Sequence, residues 1–193
     1  SFALFTMYRY GYDASHNGYL FMYVGIIGAI IQGGLIGRLV KMFGEMFLVI
    51  VGALLFTLSL FAIPLLGQGA GLPLLLLVGG TFALGNSLAT PSLQTLASRS
   101  VGRGEQGGVL GVVQSVASLA RAVGPMIAAL LINSAVATYG ADGRLHEMSD
   151  RSLLVTFWTA AAIMLLAFLL ATYFARAHAD AYAHTEFPTP AEG

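Results

Sequence analysis

Five runs of this chain are long and apolar enough to cross a lipid bilayer as helices, and that leaves few folds open. They lie near Gly18–Gly37, Phe47–Leu66, Leu72–Thr95, Val109–Val136 and Leu153–Phe174, each near or above the roughly 20 residues that span the hydrocarbon layer. Backbone N–H and C=O groups in that layer must bond within the protein, so spanning segments of this length are helices. Hydrophobic residues make up 57% of the chain and charged residues 9%, against about 25% charged in an ordinary soluble domain. Mean hydropathy is +0.80. The fold class is an all-α, multi-pass integral membrane protein.

The ends of the chain read differently. Ser1–Tyr10 is an apolar stub, half a span long, without the charged flank and small-residue cleavage site of a signal peptide. It is expected to be part of a further helix whose first half is missing, ahead of five spans over residues 18–175. Residues 176–193 carry two prolines and mixed charge, which predicts a frayed helix end followed by a disordered tail.

Charge sets the orientation. Arg38 and Lys41 follow the first full span, Arg99 and Arg103 the third, and Arg176 the fifth. If the spans alternate, these cations share one side. The other side holds Arg9, Arg144 and Arg151, accompanied by Asp13, Asp142, Glu147 and Asp150. The bias makes the first side cytoplasmic, so the stub exits outward at Tyr10–Asn17 and the C-terminus is cytoplasmic. Nine cations balance nine acids, so nothing points to nucleic acid. The absence of cysteine excludes disulfides and thiolate metal sites.

Four stretches carry a resemblance. The segment Gln32–Glu45 sets Gly33, Gly34, Gly37 and Gly44 beside Arg38, Lys41 and Glu45, in a very short link between two spans. It resembles the short cytoplasmic loop of the major facilitator superfamily, in the form found in its drug–proton antiporters, with Gly37 where the strong motif has an aspartate. Ala89-Thr90-Pro91-Ser92-Leu93-Gln94 is similar to the proline-kinked tenth span of the tetracycline-efflux branch. Glu105–Gly111 resembles the loop and entry to the eleventh span, and Arg121-Ala122-Val123-Gly124-Pro125 the Gly-Pro region within it.

The resemblance implies the C-terminal six-helix half of a twelve-helix facilitator fold, with its first helix truncated. It further implies a secondary transporter, not an enzyme, in a bacterial inner membrane. Its partners would be the missing N-terminal half of the same polypeptide, the lipid bilayer, a small-molecule substrate and protons. The acids usually associated with proton coupling lie in the other half, and no cofactor is implied. The histidine that tetracycline exporters can carry before the loop has no counterpart in Gly18–Gly37.

Arg121 is the ionised side chain well inside a span. At a helix centre an arginine costs roughly 2.5–3.5 kcal/mol on insertion scales, so it normally faces a partner or a watery cavity. Gln114, Ser118 and Arg121 fall on one helical face, as do Asn86, Thr90 and Gln94. Each stripe reads as a cavity wall for substrate, or as polar groups that hold neighbouring helices together. Pro91 removes a backbone donor inside its helix, and Gly124-Pro125 has the form of a hinge. Gly107, Gly111 and Ser115, like Ala120, Gly124 and Ala128, make small-residue stripes suited to close helix packing. Tyr19 and Tyr23 read as an interfacial aromatic belt.

Other chemistries fit worse. Gly102–Gly107 is a literal GxGxxG, but the nucleotide fingerprint needs a preceding strand, and this one lies between membrane helices. Gly85-Asn86-Ser87 lacks a buried histidine to serve as base. His178, Asp180 and His184 do not share one helical face. The function expected is proton-coupled export of small amphiphilic molecules. The alternatives are a facilitator-fold importer or carrier of lipid, sugar or peptide, and a non-transporting membrane scaffold.

Overall fold

The computed structural model describes residues 2–66, 71–102, 104–133, 138–139, 145–147 and 150–183. Arg103, Asp142, Arg144, the last residues of the fourth apolar run and the tail beyond residue 183 lie outside the described residues. Helix α1 (Phe2–Tyr10) is followed by α2 (Ala14–Ile30), a π-helical turn (Ile31–Leu35) and α3 (Ile36–Phe43). Next come α4 (Glu45–Ala62), which ends in a 3₁₀ turn (Ile63–Leu65), then α5 (Leu72–Arg99) and α6 (Gln106–Asn133). A small antiparallel hairpin of β1 (Thr138–Tyr139) and β2 (Leu145–Glu147) precedes α7 (Asp150–Ala183). Among the described residues five helices are long and apolar enough to span a membrane, and they coincide with the five apolar runs.

Two local expectations are corrected. The glycine-rich segment 32–45 is not a loop. The first span runs helical from Ala14 to Phe43, through a π turn in which the Ile36 N–H reaches Ile31 O. Gly44 alone separates it from α4, at φ 78°, a left-handed conformation that glycine adopts without a Cβ penalty. The C-terminal stretch stays helical to Ala183 instead of fraying near Ala175, in keeping with its alanine content. The hairpin adds two short strands that helical periodicity gave no reason to expect.

The end of the bundle near Asp13 is knit by Phe5, Leu20, Leu60, Ile63, Leu75, Val78 and Phe157, all buried, with Phe5 set edge-on to Phe157 at 5.8 Å. Here α1 and α2 are tied by a buried hydrogen bond between Thr6 and Asn17. A smaller cluster of Ile31, Leu48 and Leu88 joins the π turn, α4 and α5 toward the opposite end. The closest helix contact is between α4 and α5. A Cβ on Gly52 would lie 2.6 Å from the Ala89 nitrogen and 2.8 Å from Gly85 O. One on Gly85 would lie 2.6 Å from the Phe56 nitrogen and 2.8 Å from Gly52 O. Two backbones can touch this closely only where both side chains are absent, the way small residues drive helix association in lipid.

Candidate transport site

Helix α5 has a buried side and an exposed one. Leu75, Val78, Ala83, Leu88 and Ser92 are buried, whereas Asn86 and Thr90 are exposed and Gln94 is half-buried. Thr90 donates from its hydroxyl to Asn86 Oδ1 at 3.2 Å, which leaves both amide hydrogens of Asn86 for another group. Pro91 lies inside this helix and removes one backbone donor. One turn on, the Thr95 hydroxyl donates to the Pro91 carbonyl at 3.0 Å. Asn86 and Thr90 therefore stand on the side that the bundle does not cover, with Gln94 at its edge, while Ser87 and Ser92 face inward.

Helix α6 is set off from the rest, with no buried residue over Gln106–Ile127. Half-buried Val109, Val113 and Ala117 mark its side toward the bundle, while Gln114, Ser118 and Arg121 are exposed on the adjoining flank. Arg121 forms no ion pair or hydrogen bond with the described residues. Counted from the connection at Ser100–Glu105, Asn86 and Arg121 sit about 20 Å along their helices, at 1.5 Å per residue. The two stripes thus lie at one depth, near the middle of each helix. Gly107, Gly111 and Gly124 would each accept a Cβ with no atom within 4 Å, so they are not at a close crossing among the described residues.

The glycine-rich motif divides among four places. Gly33 and Gly34 lie in the π turn, and Gly37, Arg38 and Lys41 are exposed on α3. Gly44 makes the break, and Glu45 opens α4 with its side chain only 12% exposed. Glu45 Oε1 lies 2.6 Å from Arg99 Nη1 at the end of α5. The contact is an ion pair by distance without hydrogen-bond alignment, since that oxygen has no hydrogen-bond partner. Sequence reasoning placed Arg99 on the same side as this motif but did not pair it. The available signal was an acid opening one helix and a cation closing the next, at the same membrane face.

At the opposite face, Asp13 caps α2. Its Oδ1 accepts from the His16 N–H at 2.9 Å and lies 2.7 Å from His16 Nδ1. The backbone bond, then the side-chain bond, hold the Asp13 carboxyl below its usual range.

An all-helical bundle with polar residues midway along its uncovered sides is the form of a membrane transporter. Residues 1–190 match the family model of the Major Facilitator Superfamily. The chain belongs to that superfamily. Members of the Major Facilitator Superfamily are transporters, not enzymes. Solute carrier family 22 member 18 of Rattus norvegicus is 31% identical over 81% of this chain and 37% of its own length. Multidrug resistance protein 1 of Bacillus subtilis is 32% identical over 68% of this chain and 33% of its own. Tetracycline resistance protein, class B, of Escherichia coli is 24% identical over 67% of this chain and 31% of its own. The chain thus spans about a third of the length of these curated relatives. No solved structure matches it.

Proposed function

We propose that this facilitator-superfamily chain is the C-terminal half of a twelve-helix transporter that expels small amphiphilic molecules in exchange for protons by alternating access. The observation that carries this reading is the pair of polar stripes, Asn86–Thr90–Gln94 and Gln114–Ser118–Arg121, on sides of α5 and α6 that the bundle leaves uncovered. Facilitator-type sites form near the midplane between two repeats, and these stripes are where this half would meet the other. The likeness to a multidrug and a tetracycline resistance protein supports export of amphiphiles.

In this reading Arg121 binds an anionic group of the substrate or an acid of the N-terminal half, and Asn86 and Gln114 orient the substrate. Pro91 and Gly124-Pro125 allow the helices to bend as access changes. The N-terminal half of the polypeptide supplies the proton-carrying acid. The protein resides in a bacterial inner membrane, with Arg38, Lys41, Arg99 and the C-terminus in the cytoplasm. The rat relative, a solute carrier by name, supports a second reading in which the same site carries another solute.

The test is Arg121→Ala in the intact parent, assayed as substrate flux in proteoliposomes at matched incorporation. Losing one charge-assisted contact, worth about 1.5–3 kcal/mol, predicts a fall of roughly tenfold or more. Unchanged flux would remove Arg121 from the site, whereas no flux in the unsubstituted parent would bring the scaffold reading forward.

A further inference from the structure

Between α6 and the rest of the bundle lies a cavity of about 390 Å³. Phe2 of α1, Val24 of α2, Leu60 of α4, Gly79 of α5, Ile127 of α6 and Phe157 of α7 all contribute to its wall. It is therefore a hub and not a gap between two neighbours. Among the described residues the lining carries hydroxyls only at Thr156 and Thr159. The Thr159 hydroxyl is spent on Val155 O at 2.6 Å, and Thr156 also has a partner. No ionisable side chain of the described residues reaches the cavity.

We propose that this cavity is a binding site for a neutral, apolar molecule, separate from the polar stripes. A charged or strongly polar ligand would be desolvated there with nothing to bond to, which fixes the chemical class. A dry apolar cavity of about 150 Å³ holds one benzene, so this one accommodates roughly fifteen non-hydrogen atoms, a two-ring aromatic or a short branched hydrocarbon. Pockets of about 300–1,000 Å³ with apolar walls are the usual size for such ligands. Access lies beside α6, where Gly124 and Ile127 line the cavity and are themselves exposed. None of the six stripe residues lines the cavity, although Gly124 follows Arg121 by three residues and so adjoins the stripe on α6. The site thus shares no side chain with the transport stripe. An occupant touches every spanning helix and fastens α6, which otherwise buries nothing against the bundle over Gln106–Ile127.

The glycines provide the test. A Cβ on Gly79 would approach only Val24 Cγ2, at 3.9 Å, and one on Gly124 would meet nothing within 4 Å. Leucine at either position can fill the cavity without pushing on backbone. The intact protein in lipid nanodiscs is titrated with naphthalene, and its unfolding temperature is followed; 1-naphthoate is the control. Expected are a saturable rise with naphthalene, none with naphthoate, and loss of the rise in Gly79→Leu and in Gly124→Leu. No saturable rise in the unsubstituted protein overturns the proposal, as does a rise that persists in both variants or an equal rise with naphthoate. The readout is equilibrium binding, so it stands whether or not the transport reading holds.

Discussion

Asp13 illustrates how much one side chain does at the start of a spanning helix. It satisfies the first-turn N–H of His16, one of the donors that a helix start leaves without an intrahelical partner. Because these bonds favour the ionised form, its pKa is lower folded than unfolded. The stabilisation is thus complete above the unfolded value, about 3.9, and is lost as pH falls through the folded value. Amide exchange at His16 and Asn17 should therefore lose protection in that acidic window. Asp13→Asn keeps a cap acceptor and should abolish the pH dependence; exchange that still tracks pH in the Asn variant would assign the effect to another group. The cap was not read from the sequence because the polar Ser15-His16-Asn17 separates Asp13 from the apolar run that begins at Gly18, although aspartate is a known helix-start residue. Arg121 was legible for the opposite reason, since a charge inside an apolar span is conspicuous in any reading.

At the scale of elements, the α4–α5 seam is the part most exposed to substitution. Gly85→Val would force a side chain into the Phe56 backbone at 2.6 Å, and overpacking of this kind costs roughly 1–3 kcal/mol. Gly25→Ala, where an added Cβ meets nothing within 4 Å, should be neutral or slightly stabilising. Thermal unfolding of the pair in one detergent compares them directly, and equal unfolding temperatures would show that the seam is not close-packed in solution. Which of the chain's 24 glycines meet another helix is not written in any local pattern, because it depends on which helices become neighbours. The five spans were legible because length and apolarity alone decide what can cross a bilayer. The segment 32–45 was misread because its glycines suggest a loop, whereas glycine is common in membrane helices. The i, i+4 spacing grouped Asn86 with Thr90 correctly, but only packing decides which way such a stripe faces.

For the whole molecule, orientation is the open question that cation placement addresses. The chain has no cysteine, so single cysteines can be introduced with no background of its own. In a cysteine-free parent, Lys41→Cys should react with an impermeant maleimide only after the membrane is opened, and Ser15→Cys, beside the Asp13 cap, should react in intact cells. The reverse pattern would invert the topology. The break at Gly44 has a mechanical consequence of its own. A single glycine joins the rod that ends at Phe43 to the helix that begins at Glu45, and consecutive Cα atoms are only about 3.8 Å apart. Such a joint fixes the distance between the two helix ends but leaves the angle free, because glycine's torsions are the softest in the chain. The Arg38–Lys41 segment can therefore pivot about Gly44 while α4 keeps its close glycine contact with α5, the helix that bears Asn86, Thr90 and Gln94.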